Sequence, residues 1–74
     1  MTAPRDKFPR VGTKFCYAMS RYAYEDYPSL ARATAVAALD RASARNRVRF
    51  GVMTTQVLDD TVEWWTEVVE VLPK

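Results

Sequence analysis

Two adjacent tryptophans, Trp64 and Trp65, stand inside the most strand-like stretch of the chain, and they limit what it can fold into. Val62 to Leu72 is dense in β-branched and aromatic residues, a composition that suits a pleated, half-buried surface. Successive side chains of a strand point to opposite faces, so the two indoles cannot enter one core. One goes to the main core and the other to the far face. There it is either covered by a loop or the N-terminal segment, or exposed as a contact surface.

A second strand-like arm, Val48 to Leu58, precedes this stretch, and Asp59-Asp60-Thr61 separates the two as a turn. The pair reads as a β-hairpin closed by Pro73. A two-residue loop places Val48 opposite Val71, Phe50 opposite Val69 and Thr54 opposite Trp65. The other face then carries Arg49 with Glu70, Gly51 with Val68 and Thr55 with Trp64. A three-residue loop instead sets Val52 against Val68, Leu58 against Val62 and Phe50 against Glu70. The first register is preferred because it gives Arg49 an opposite charge across the strands.

Upstream, Met1 to Gly12 contains Pro4, Pro9 and Gly12 with Arg5, Lys7 and Arg10, and reads as a flexible basic N-terminal arm, with Phe8 a candidate pin to the body. Residues 13–74 read as one domain. Thr13 to Tyr24 is the first strand, with Phe15, Tyr17 and Met19 on one face and Cys16, Ala18, Ser20, Tyr22 and Tyr24 on the other. Periodicity leaves open which set meets the helix. Glu25 to Ser29 is a turn with Asp26 and Ser29 as candidate N-caps. Leu30 to about Arg45 is a helix, since ten of these sixteen residues are Ala, Leu or Val and nothing interrupts them. Asn46 suits its C-terminal cap, and Arg41 and Arg45 suit the negative end of its dipole. The helix carries two apolar rows. One is Ala31, Ala35, Ala38, Leu39 and Ala42; the other is Leu30, Ala33, Val36, Ala37 and Ala44. A single sheet can cover only one of them. The fold class is therefore α+β, a three-stranded sheet in β-α-β-β order, mixed or antiparallel, with one Ala-rich helix packed on one face.

Composition narrows the function classes. A domain of 74 residues buries roughly 60% of its unfolded surface and is marginal without help. Cys16 is the sole cysteine, so no disulfide supplies that help, and a free thiol suits a reducing cytoplasm. Packing and homodimer formation remain as sources of stability. No apolar run reaches the roughly 20 residues that span a bilayer, and no signal-peptide pattern opens the chain. The chain has no His, only Gly12 and Gly51 as glycines, and one Cys placed mid-strand. General acid–base work, a phosphate-cradling loop, a closed zinc site and an activated thiol all lack their parts, so no catalytic residue, metal or cofactor is expected. Asp59, Asp60 and Glu63 read as solvation of a turn rather than a cation site.

Charge is divided along the chain. Residues 1–49 carry ten Lys/Arg against four acids, a net +6, and residues 50–74 carry Lys74 against five acids, a net −4. Arg41, Arg45, Arg47 and Arg49, together with Arg32 and Tyr22 or Tyr24, can line a phosphate-contacting surface with aromatic stacking. They equally suit a protein contact surface, in which Trp, Tyr and Arg are the prominent residues. The small overall charge of +2 favours internal charge pairs over phosphate contact, Arg49 with Glu70 and the others with Asp40 or the glutamates of the last strand, since nucleic-acid domains carry a larger positive excess.

The opening strand around Phe15-Cys16-Tyr17, the turn Tyr27-Pro28-Ser29-Leu30, the Ala-rich helix and the closing hairpin with Trp64-Trp65 together resemble small phage-encoded anti-CRISPR and anti-defence proteins. That resemblance implies a non-enzymatic viral inhibitor acting stoichiometrically on a host complex, in the host cytoplasm. The richness in Ala and Arg suits a high-GC genome such as that of an actinobacterium or its phage. The expected contact residues are Trp64 or Trp65, whichever faces outward, with Tyr22, Tyr24, Arg45, Arg47 and Arg49. The partner is a protein, with nucleic acid as the alternative.

Overall fold

The longest strand, β4 (Thr61–Val71), runs through the middle of the sheet and is hydrogen-bonded on both edges. The computed structural model describes residues 9–73. On one side of β4 lies β1 (Lys14–Ser20), antiparallel, with Tyr17 opposite Trp64 and Cys16 opposite Trp65. On the other side lie β2 (Val48–Phe50) and β3 (Thr54–Val57), also antiparallel. The fold is α+β, and of the two sheet types open from sequence the antiparallel one is found. The first strand pairs with the last and leaves the middle arm on the far edge. Helix α2 (Pro28–Asn46) crosses one face.

The first hairpin arm forms two strands, so the sheet has four strands where three were expected. At both ends the two-residue-loop register holds: Val48 faces Val71, Arg49 faces Glu70, Thr54 faces Trp65 and Thr55 faces Trp64. Between them the register slips. Phe50 faces Val68 rather than Val69, and the Gly51 N–H donates to the Glu67 carbonyl at 3.0 Å. Residues 51–53 then leave the ladder before β3 restores the original register. The buried Thr66 hydroxyl lies 3.3 Å from the Gly51 carbonyl and 3.1 Å from the Val52 carbonyl, acceptors the interrupted ladder does not serve. A Cβ at Gly51 would stand 2.8 Å from the Val69 Cγ1, so any larger residue there makes the exposed Val69 side chain shift. Because side chains alternate, this slip changes which residues share a face. Val48 and Phe50 lie on the same side as Trp64, not with Trp65 as an unbroken register requires.

The first strand stops at Ser20, four residues short of expectation. Ser20 caps a short helix, α1 (Arg21–Asp26), its hydroxyl accepting the Ala23 N–H at 3.1 Å. Arg21 and Glu25 pair at 2.8 Å across one helical turn. The Arg21 N–H donates to the Asp60 carbonyl, and its guanidinium reaches the Leu58 and Asp59 carbonyls, so α1 is tied to the hairpin tip. At the other end of β1, Arg10 to Thr13 forms a turn closed by Thr13 N–H to the Arg10 carbonyl at 2.9 Å, with Gly12 at φ +96°. The remainder of the expected basic arm, residues 1–8 with Phe8, lies outside the described residues.

Neither Asp26 nor Ser29 caps α2. Tyr27 takes that position without a side-chain bond, and Pro28 opens the helix, where its missing N–H costs nothing. Of the two apolar rows, Ala31, Ala35 and Leu39 are buried against the sheet, while Leu30 is 64% exposed and Ala33 and Ala37 face solvent. From the sheet, Phe15, Tyr17 and Met19 of β1 turn toward this helix, with Val62 and Trp64 of β4. Cys16 and Ala18 point away. The bulkier set is inside because Ala31 and Ala35 are small enough to leave room for it. Phe15 and Phe50 meet across β4 at 4.9 Å, where the intervening Thr66 is short. Among the described residues, no helix is long and apolar enough to cross a membrane.

At the C-terminus of α2 the Asn46 amide donates to the Ala42 carbonyl at 2.8 Å, and the left-handed capping position falls one residue later, on Arg47, at φ +56°. A residue with a Cβ is strained there by roughly 1–2 kcal/mol, and glycine is not. Arg47→Gly is therefore expected to stabilise the fold by about 0.5–1 kcal/mol after the added flexibility of the unfolded chain is subtracted. A urea titration will show the midpoint rising with an unchanged slope.

Candidate functional site

The neighbouring indoles diverge, as the strand period requires. Trp64 is 3% exposed, with its ring edge-on to Tyr24 at 5.9 Å. Trp64 therefore leaves the set of candidate contact residues. Trp65 stands half-buried on the opposite face, which no helix among the described residues covers. Its Nε1 donates to the Glu63 carboxylate at 2.9 Å, which holds the ring along the strand. Cys16 of β1 and Thr54 of β3 flank it across the sheet. Beside the ring is an open depression of about 570 Å³ lined by Lys14, Thr54, Thr55, Gln56 and Trp65.

The rim of this face is charged. Lys14 and Glu67 stand opposite each other across the strands, and Glu63 lies two residues before Trp65. Further along β4, Glu70 pairs with Arg49 at 2.8 Å, both side chains largely in solvent. Lys14, Glu63 and Glu67 leave the surroundings of Trp65 with a net negative charge. Such a surface repels phosphate. Cys16, exposed beside the ring, has its thiol pKa raised by partial burial and by the Glu63 charge, against a smaller lowering by the Trp64 backbone N–H. It is held as a thiol at neutral pH, the opposite of what an activated nucleophile needs.

The other expected contact residues are not gathered here. Tyr22 and Tyr24 lie on α1 rather than on the Cys16 face of β1. Tyr22 is 69% exposed, and Tyr24 is half-buried against Trp64. Arg45 lies in the last turn of α2, Arg47 just past its end and Arg49 on β2, so they stand at the far end from α1 of a nineteen-residue helix about 28 Å long at 1.5 Å per residue. The imagined arginine–tyrosine surface is thus two separate places. Arg45 and Arg47 are exposed and have no side-chain partner among the described residues, whereas Arg49 is taken up by Glu70. Among the described residues no cluster of three or more metal-ligating side chains occurs. Lys14, Glu63, Glu67 and Gln56 went unremarked in the sequence as companions of Trp65. The signal was present for two of them, since Glu63 and Glu67 lie two residues either side of Trp65 on one strand face.

Fold and surface together define a small α+β domain that, among the described residues, has one sheet face packed by a helix and the other open around an aromatic residue. Comparison with protein-family models, with curated protein sequences and with solved structures finds no match to this chain.

Proposed function

We propose that this is a non-enzymatic binding protein that acts by stoichiometric protein–protein contact, of the kind seen in phage-encoded anti-CRISPR and anti-defence inhibitors, and works in a reducing host cytoplasm. The observation that carries this reading is Trp65, presented within a rim of Lys14, Glu63 and Glu67 on a sheet face that no helix among the described residues covers. A large aromatic ring surrounded by charge is the usual anchor of a protein interface. The acidic bias of the rim favours a basic partner surface, such as the nucleic-acid channel of a host defence complex.

A second reading, a small nucleic-acid-binding protein, draws on Arg45 and Arg47, which are exposed and have no side-chain partner among the described residues. One set of titrations separates the two. Binding to purified CRISPR effector complexes is expected to survive moderate salt, and Trp65→Ala is expected to weaken it roughly 30-fold or more, as for an interface hot spot. Labelled DNA and RNA, single- and double-stranded, are expected to bind weakly. Sub-micromolar nucleic-acid binding that falls steeply with salt, ignores Trp65→Ala and is lost in Arg45→Ala with Arg47→Ala would reverse the order.

A further inference from the structure

Among the described residues no strand lies along the outer edge of β1. The Val68 N–H donates to the Thr13 carbonyl, and the Val68 carbonyl accepts from Gly12 N–H, both at 2.9 Å. This sets the phase of the antiparallel ladder. Continued along the strand, it turns the backbone groups of Phe15, Tyr17 and Met19 toward β4, and those of Lys14, Cys16 and Ala18 away from it. Among the described residues those outward groups have no backbone partner. The opposite edge of the sheet is blunted, because β2 and β3 are short and separated by residues 51–53. β1 itself carries little that blunts an edge: it is seven residues long, contains no Pro and carries one charge, Lys14 at its end. Beside this edge lies an apolar cleft of about 210 Å³ between β1, α1 and α2, lined by Tyr17, Met19, Tyr27, Leu30 and Ala31 among others.

We propose that a second copy of this chain occupies this edge, with the two β1 strands pairing antiparallel about a two-fold axis at Tyr17. The strand suits itself in that arrangement. Large apolar Phe15 meets Met19 of the second copy on the helix side, small Cys16 meets Ala18 of the second copy on the open side, and Lys14 meets Ser20 of the second copy. No like charges stand opposed. Phe15 and Tyr17 of the second copy come over the apolar cleft, and the exposed Leu30 lies beside them. The interface is isologous, as closed dimers require. Both α2 helices lie on one face and both Trp65 rings on the other, about 15 Å apart from strand spacing and rise. The dimer thus deepens the proposed binding role by presenting Trp65 twice on one continuous sheet.

Sedimentation equilibrium on the full chain is expected to give twice the protomer mass of 8.5 kDa. Ala18→Pro removes an N–H that points out of the monomer's own ladder, so it is expected to give a folded monomer by circular dichroism. Ala18→Lys, which sets two ammonium groups diagonally across the axis, gives a second route to the same result should the proline disturb the strand. Ala18→Cys sets the new thiol opposite Cys16 of the second copy, and mild oxidation is expected to yield a covalent dimer on a non-reducing gel. A wild-type protein that sediments as a monomer throughout overturns the proposal, whether or not a foreign strand binds the edge. So does a dimer that survives Ala18→Lys and yields no cross-link with Ala18→Cys. The readout is mass rather than partner affinity, so this inference and the Trp65 reading fail separately.

Discussion

Trp64→Ala is expected to destabilise the protein severely, while the same change one residue later, Trp65→Ala, leaves most of its stability in place. Trp64 sits at the centre of the core, opposite Tyr17 on one side and Thr55 on the other, beneath Ala31, Ala35 and Leu39. Truncating a buried aromatic removes its transfer free energy and leaves a cavity, at a cost of about 3–5 kcal/mol. A 74-residue domain has a total stability of roughly 4–11 kcal/mol by the usual per-residue figure, so this loss takes from about a quarter to all of it. Trp65 is half-buried on the open face, and its removal costs mainly the partial packing against Cys16 and Thr54 and the bond to Glu63. Thermal melts of the two variants side by side provide the measurement. Trp64→Phe refines it. The Trp64 Nε1 is buried without a hydrogen-bond partner among the described residues, a cost of roughly 1–3 kcal/mol that phenylalanine removes. The smaller ring loses packing, so the two terms oppose and Trp64→Phe is expected to fall far closer to wild type than Trp64→Ala.

The second large effect concerns the helix. Ala35→Leu is expected to destabilise by about 1–3 kcal/mol, the ordinary cost of overpacking a full core. Ala35 is 0% exposed, and it lies one turn from Ala31 and from Leu39 on the row that touches the sheet. Its methyl sets how closely α2 approaches Tyr17, Met19 and Trp64, and three further carbons force the helix outward. Ala37→Leu, two residues along on the exposed row, is expected to change stability by no more than about 0.5 kcal/mol. Denaturant midpoints of the pair check both values. Equal effects at the two positions would mean that the second row is also covered.

Much of this was legible in the residues. The hairpin, its Asp59-Asp60 loop and the pairing of Arg49 with Glu70 follow from strand composition and cross-strand charge, and the structure has them. So does the body of the helix, where alanine and leucine run without interruption. The first strand ends at Ser20 despite the strand propensity of Tyr22 and Tyr24, because a serine cap and an Arg21–Glu25 pair decide the local conformation. The i,i+4 spacing of that pair was the available signal. Gly51, alone inside a strand pattern, was likewise a mark of the irregularity that divides β2 from β3.

What the chain fixes by itself is local: neighbouring tryptophans on one strand must point apart, and a helix with apolar residues nearly all round must leave some of them uncovered. Which indole is inside, which alanine row meets the sheet and which strand stands in the middle were decided only in three dimensions. The register slip at Phe50 puts Val48 and Phe50 on the side of Trp64, and Ala31 and Ala35 make room for Phe15, Tyr17 and Met19. These choices depend on packing between residues far apart in sequence, where the filling of a shared volume, rather than any local preference, sets the free energy.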